Sequence, residues 1–165
     1  MAWTKTKSAV VAGAVLILAA GTTAVIVKNH GHHPRAKLQW TPAEKDLFRQ
    51  ESNARLQQAR RWALGCILFA GDHENKLPDN FEQLKAYVPR LSSSNWEIVS
   101  SGSLTNFQER ADTILLREKE SRPSPDGKFA KIYAFEDGHD ELISSPDDNF
   151  AAWEKQHGLL VQPGK

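Results

Sequence analysis

The sequence predicts an α+β fold: an N-terminal transmembrane helix, then a long helix on a small antiparallel sheet of three to four strands, then a C-terminal helix. Three observations lead to this prediction. A charge-free apolar run occupies Ser8–Val27, an uninterrupted helical stretch occupies Thr41–Gly71, and short alternating segments separated by turns fill most of the remainder. The predicted parts of the chain are a transmembrane anchor at 1–28, a juxtamembrane linker at 29–40 and a folded domain at 41–165.

The N-terminal apolar run is long enough to cross a membrane. Ser8–Val27 holds twenty residues without a charge, and roughly 20 helical residues span ~30 Å of hydrocarbon. A cleavable signal peptide is the alternative, because Lys5 and Lys7 precede the run and small residues lie at Ala19–Gly21. Val25–Val27 continues the run past those small residues, which favours an uncleaved anchor. Basic residues flank both ends, so they predict no orientation.

Charge and cysteine content exclude several functional classes. The first 37 residues hold five basic residues and no acid, so the remainder carries 16 basic and 20 acidic residues. A mildly acidic domain lacks the basic face that nucleic-acid binding requires. The single cysteine, Cys66, rules out an intramolecular disulfide, a Cys-based zinc site and a redox pair within the chain. Because it lies in an apolar stretch, we expect a buried, inert thiol.

The long helix has clear end signals. Thr41 is a good N-cap, Pro42 suits the first helical position, and Glu44 is placed to complete a capping box. Gly71 supplies the predicted stop. The segment Trp62–Ala70 is apolar nearly all round, so we expect this half of the helix to be buried in the core.

The rest of the domain alternates turns with short elements. A short helix after Pro78 should pack Phe81, Leu84 and Tyr87 on the long helix. The tight turn Glu136–Gly138 should join the last two strands into a hairpin. The predicted strands are Asn95–Ser100, Asp112–Arg117, Phe129–Phe135 and His139–Ile143, with a loop at Arg122–Lys128 and a helix at Phe150–Gly158 whose Phe150 and Trp153 cover the sheet.

Two stretches carry a family resemblance, RRWALGCILFAGDHENKLPDNFEQL and KIYAFEDGHDELISSPDDNFAAWEKQ. Together they resemble type II secretion pseudopilins and prepilin-like proteins of planctomycete and verrucomicrobial type. The matching positions are Leu68–Asp72, Asn75–Pro78, Phe81 and Leu84 in the first stretch, and Tyr133, Phe135, Asp137, Gly138, His139 and Glu141 in the second. The resemblance implies a pilin-like domain that follows a membrane-spanning helix.

The leader departs from the family pattern. Pseudopilin leaders place a Phe and a Glu at the start of the apolar run, whereas WTKTKSAVVAGAVLI contains neither. The resemblance therefore does not extend to leader processing or to polymerisation. What the resemblance still implies is a pilin-like domain attached to a membrane anchor. It predicts no oligomeric state.

Four residues are weak candidates for a metal or catalytic site. Asp137 and His139 lie one residue apart on a strand and so point the same way, but Asp-Gly is also what a tight turn requires, and we prefer the turn. Asp147 and Asp148 offer oxygen ligands, and the resemblance implies Ca²⁺ as a weak possibility because some major pseudopilins bind it in a C-terminal loop. This stretch lacks a spaced D-x-D-x-D-G pattern, so we prefer capping of the following helix.

The leading hypothesis is a non-enzymatic structural or docking protein, anchored in the membrane, with its domain in the periplasm or otherwise outside the cytoplasm. Expected partners are the membrane and envelope proteins, without nucleic acid or a cofactor. One alternative is a sensor or regulatory domain, which should have a cleft. The other is a metal-dependent enzyme using the Asp137–Glu141 hairpin, which should bring acids from elsewhere to His139. A structural subunit should instead expose an apolar stripe on the long helix and have no deep pocket.

Overall fold

The computed structural model describes residues 39–104 and 109–158. The predicted anchor and most of the linker lie outside these residues. Within them, every helix is too short or too polar to cross a bilayer. The helices are α1 at Pro42–Asp72 and α2 at Ala151–Gln156, and the strands are β1 at Trp96–Ile98, β2 at Ile114–Glu118, β3 at Arg122–Pro123, β4 at Phe129–Phe135 and β5 at Asp140–Ser145.

The start of α1 is as predicted, and its end lies one residue beyond the predicted Gly71, although Gly71 is not what ends it. The Thr41 side chain accepts the Glu44 N–H at 3.3 Å, and the Glu44 carboxylate accepts the Thr41 N–H at 2.7 Å, so the capping box is confirmed. Gly71 does not stop the helix, which runs on to Asp72. The stop comes from Glu74 and Asn75, which adopt positive φ and let the Asn75 N–H bond back to the Ala70 carbonyl at 2.8 Å.

The sheet is antiparallel and centred on β4. β5 pairs with Phe129–Ala134 of β4 along one edge. β2 and β3 must share the opposite edge, because they pair with β4 residues that β5 also contacts. β1 pairs with the outer edge of β2. The predicted count of three to four strands is too low, since the five strands include β3, a two-residue continuation of β2 after a short break.

The two helices cover opposite faces of the sheet. Ile132 and Ala134 of β4 pack in one core cluster with Trp62, Cys66 and other residues of α1. Tyr133 and Phe135, on the other face, form a second cluster with Phe150 and Trp153 beside α2. The predicted alternation of β4 and the covering role of Phe150 and Trp153 are therefore confirmed. Cys66 is fully buried, and burial raises its pKa to about 12, as expected of an inert thiol.

Part of the apolar half of α1 is exposed. Leu64 and Leu68 are 53% and 49% exposed, so the prediction that Trp62–Ala70 is buried all round is wrong. The buried positions form one side of the helix, facing the sheet and the segment that follows α1. Gly65 belongs to that side, and a Cβ on it would lie 2.1 Å from Cγ2 of Val88. The chain after α1 therefore crosses the helix at van der Waals distance.

Several of the remaining elements are shorter than predicted, whereas β5 at Asp140–Ser145 is one residue longer than the predicted His139–Ile143. The predicted short helix is a single 3₁₀ turn at Phe81–Leu84, although Leu84 is buried and Phe81 and Tyr87 pack against the same core. The first strand covers only the middle of Asn95–Ser100, and the C-terminal helix only the middle of Phe150–Gly158. The predicted hairpin forms, with Gly138 at φ 92° closing its turn.

Candidate functional site

In the predicted hairpin site, the contacts of His139 come from residues of the same hairpin. His139 Nδ1 lies 2.5 Å from Asp137 Oδ1, and Nε2 lies 3.8 Å from Glu141 Oε1, while the ring stacks on Phe135. Burial opposes ionisation of Asp137, but the N–H and ring of His139 outweigh it and hold the pKa of Asp137 below its ordinary value. In the described part of the chain, no three His, Cys, Asp or Glu side chains converge as a metal-ligand set.

Asp147 and Asp148 order the loop before α2 but do not cap it. Asp147 Oδ1 accepts the Ser145 hydroxyl at 2.8 Å and the Asn149 N–H at 3.3 Å, and these bonds lower the pKa of Asp147. Asp148 accepts the Ser121 hydroxyl from the chain before β3. The first turn of α2 is instead served by Asn149, whose side chain accepts the Ala151 N–H at 3.1 Å. Among the hydrogen bonds of the described residues, neither carboxylate accepts an N–H of α2, and the favourable placement of two acids before the positive end of the helix stays a prediction.

The break between β2 and β3 holds a buried carboxylate. The Glu118 side chain is 1% exposed; its Oε1 accepts Arg55 Nη1 at 3.0 Å, and its Oε2 accepts the Ile132 N–H at 3.0 Å. Glu118 thus supplies β4 with an acceptor where the neighbouring strand is interrupted. Arg55 belongs to α1 and Ile132 to β4, so the Glu118 carboxylate joins α1 to the sheet.

Arg122 of β3 adds a second guanidinium to this cluster. Burial lowers the pKa of Arg122. The negative charge of Glu118 opposes that shift and the positive charge of Arg55 adds to it, so both arginines lie close enough to Glu118 and to each other to interact electrostatically. Arg122 Nη2 donates to the Ser52 hydroxyl at 3.4 Å, and its guanidinium carbon lies 5.2 Å from the ring centroid of Phe48. Its buried Nε has no hydrogen-bond partner among the described residues.

A cavity of about 330 Å³ opens beside this cluster. Its lining contains three basic and two acidic side chains, together with three polar uncharged ones, within a domain whose overall balance is acidic. The lining residues are Arg55, Ser94, Asn95, Glu118, Lys119, Glu120, Ser121 and Arg122. The arrangement suits the binding of a small polar ligand with negative charge.

A second buried ion cluster lies on the α2 face of the sheet. Glu154 of α2 accepts the Tyr133 hydroxyl at 2.8 Å and pairs with Lys131 Nζ at 3.3 Å and Arg117 Nη1 at 2.5 Å. Burial opposes ionisation of Glu154, but these three donors outweigh it and lower its pKa. Burial, followed by the bond to Glu154, raises the pKa of Tyr133. The cluster attaches α2 to β2 and β4.

The chain matches no family model, and no curated protein or solved structure is detectably similar to it. The pseudopilin resemblance therefore stays a prediction.

The sequence analysis missed both buried clusters. The available signal was Lys131, which stands between buried positions of the central strand, because a charged residue there requires a partner. Glu118 was a weaker signal, as a carboxylate at the end of a buried strand. Arg55 and Arg122 are 67 positions apart in the chain, so nothing in the sequence pairs them.

Proposed function

We propose that the chain is a membrane-anchored docking protein of the cell envelope, in which Ser8–Val27 holds a pseudopilin-like α+β domain outside the cytoplasm. The observation that carries this proposal is the outer face of α1, which we define as Leu47, Ala54, Arg61, Leu64 and Leu68. Its three leucines are 55%, 53% and 49% exposed. Half-exposed leucines on the helix that follows the predicted anchor in the sequence are typical of a surface that another protein covers.

The outer face of α1 forms one strip along the helix. Leu47, Ala54, Arg61 and Leu68 follow at intervals of seven residues, and Leu64 lies one turn before Leu68. A straight helix drifts about 20° per seven residues, so the four residues at this spacing turn through only about 60° over about 30 Å, and Leu64 flanks them at the Leu68 end. Such a strip has the length and spacing to pack against another helix.

The charge on this face indicates the kind of partner. Arg61 is exposed between Ala54 and Leu68. A second copy anchored in the same membrane would pack parallel and bring two Arg61 side chains together, which like-charge repulsion disfavours. We therefore propose an occupant of different sequence: an apolar helix of another envelope protein that carries an acidic side chain opposite Arg61.

Anchoring would make this weak surface effective. Burying its three half-exposed leucines contributes on the order of 1 kcal/mol each, too little for a stable complex between dilute soluble proteins. Confinement of both partners to one membrane raises their effective concentration. The apolar segment and the outer face of α1 thus support the same function.

Site-specific photo-crosslinking in intact membranes tests the docking surface. A photoreactive amino acid at Leu64 or Leu68 should give one discrete adduct with another polypeptide, and the same amino acid at exposed Lys128 should give none. In the Leu68 background, Arg61→Glu should reduce the adduct at least tenfold and Arg61→Lys should restore it. An adduct of twice the mass of the chain would assign the face to a second copy, and an adduct insensitive to Arg61→Glu would contradict the proposed partner.

A second candidate function is a sensor or regulatory domain. The cavity between Arg55 and Arg122 favours it, because a ligand-binding domain needs a polar recess with converging donors. The metal-dependent enzyme stays an untested prediction, and the described contacts of His139 give it no support, since both acids beside its ring come from the same hairpin.

A further inference from the structure

We propose that the cavity at the break between β2 and β3 binds a phosphate group, held between the guanidinium groups of Arg55 and Arg122. The inference does not depend on the docking function, because it concerns a different surface of the domain. It rests on the charge of the cavity, on the donors that surround it and on a buried donor that lacks a partner among the described residues.

The charges around the cavity favour an anion. Arg55 pairs with the buried Glu118 at 3.0 Å, and Arg122 lies near the same carboxylate and 3.9 Å from the half-exposed Glu51, which is not part of the lining. With Lys119 and Glu120, the lining residues carry a net charge of +1, three basic against two acidic residues. In a domain with a net acidic balance, a local positive recess concentrates small anions from solution.

The donors are available and come from several directions. Arg55 and Arg122 present ten guanidinium N–H groups between them, and their hydrogen bonds to Glu118 and Ser52 use one from each residue. Asn95 and Ser121 line other walls of the cavity. The lining residues with donors come from α1, from the chain before β1, from the β2–β3 break and from β3, and guanidinium groups bind phosphate oxygens well.

Arg122 gives the most specific sign of a ligand. Its side chain is 15% exposed, its guanidinium lies over Phe48, and its Nε is buried with no hydrogen-bond partner in the part of the chain that the structure describes. An unsatisfied buried donor on a charged group costs on the order of 1–3 kcal/mol. A phosphate oxygen bound beside the guanidinium is the kind of acceptor that this N–H lacks.

Isothermal titration of the full-length chain in a neutral detergent, with inorganic phosphate at constant ionic strength, tests the proposal. We expect saturable binding, reduced at least tenfold by Arg122→Gln and partly restored by Arg122→Lys. Arg61→Gln removes the same charge from an exposed position of α1 and should change affinity less than twofold. Glu118→Gln should instead raise the affinity several-fold, because it removes the competing negative charge while its side-chain oxygen still accepts the Ile132 N–H.

Melting temperatures of the variants exclude simple unfolding, and the Glu118→Gln gain is an effect that unfolding cannot produce. Acetate should bind at least tenfold more weakly than phosphate. Glycerophosphoglycerol, the soluble headgroup of an anionic lipid, shows whether the bound phosphate group comes from a lipid or from free phosphate. If it binds more tightly than inorganic phosphate, the site is assigned to a lipid headgroup. If it binds more weakly, the site is assigned to free phosphate. No saturable binding, equal binding of acetate, or equal effects of Arg122→Gln and Arg61→Gln would overturn the proposal.

Discussion

Glu154 is the residue whose contacts bear most directly on the attachment of α2. Its carboxylate receives Tyr133, Lys131 and Arg117, and its side chain is 8% exposed. A buried carboxylate with three donors keeps its charge because each donor replaces part of the lost hydration. The prediction that Trp153 covers the sheet is correct, because apolar spacing indicates a covered face. Glu154 was not predicted, because a carboxylate on a short helix is usually solvated.

Glu154→Gln should destabilise the domain by about 3 kcal/mol, because it leaves the buried Lys131 without its counter-charge, while Arg117 keeps Glu97 as a partner. Chemical denaturation at pH 7 measures the change. Glu120→Gln is the matched control: Glu120 is exposed at the end of the same sheet region, and its loss should cost less than about 0.5 kcal/mol.

The acid dependence gives this prediction a second readout. The pKa of Glu154 is lower in the folded protein than its ordinary value of 4.5, so its contribution is present above about pH 4.5 and is lost as pH falls through the folded value. Glu154→Gln should therefore flatten the decline of stability between about pH 5 and 3, expressed relative to the wild type. Parallel pH profiles for the two proteins would show that the carboxylate is not held as the structure describes.

At the scale of elements, the close approach of α1 and the chain that follows it depends on Gly65. Its position faces Val88, whereas a Cβ added at Gly71, six residues later, would have no other atom within 4 Å. Nothing in the sequence separates the two glycines, and the predicted role of Gly71 was a helix stop. The difference arises from the path of residues after α1, a tertiary feature that local propensity does not encode.

Gly65→Ala and Gly71→Ala should therefore change stability in opposite directions. Alanine at position 65 forces Val88 away and should cost about 1–3 kcal/mol. Alanine at position 71 meets open space and should stabilise the helix by up to about 1 kcal/mol. Thermal denaturation of both variants measures the contrast, and a stabilising Gly65→Ala would show that the segment at Val88 does not pack on α1.

Strand prediction succeeded where the alternation within a single segment was enough to indicate a strand. β4 alternates Phe129, Lys131, Tyr133 and Phe135 with small or aliphatic residues, and a tight turn follows it, so the pattern alone predicted the hairpin. β3 was not predicted, because Arg122–Pro123 lies in a stretch with two prolines that is typical of a loop. It becomes a strand only because β2 ends early and leaves the edge of β4 open.

At the scale of the whole molecule, α1 has two different sides. The inner side packs on the sheet through Ala59, Ala63 and Cys66, and the outer face of α1 exposes its leucines. The sequence predicted the helix and its core contact but not the division of its apolar half, because leucine serves equally in a core and in an interface. Together with the apolar segment Ser8–Val27, this division supports an anchored protein that docks through α1.

Membrane fractionation with protease protection and intact mass, made on the full-length protein expressed in a bacterium, tests the anchored docking function most directly. We predict a full-length mass, pelleting with membranes, and cleavage of the domain only by protease added outside the cytoplasm. A soluble product with a mass shortened near Ala20–Ala24, or a full-length protein in the cytosol, would contradict the anchored docking function.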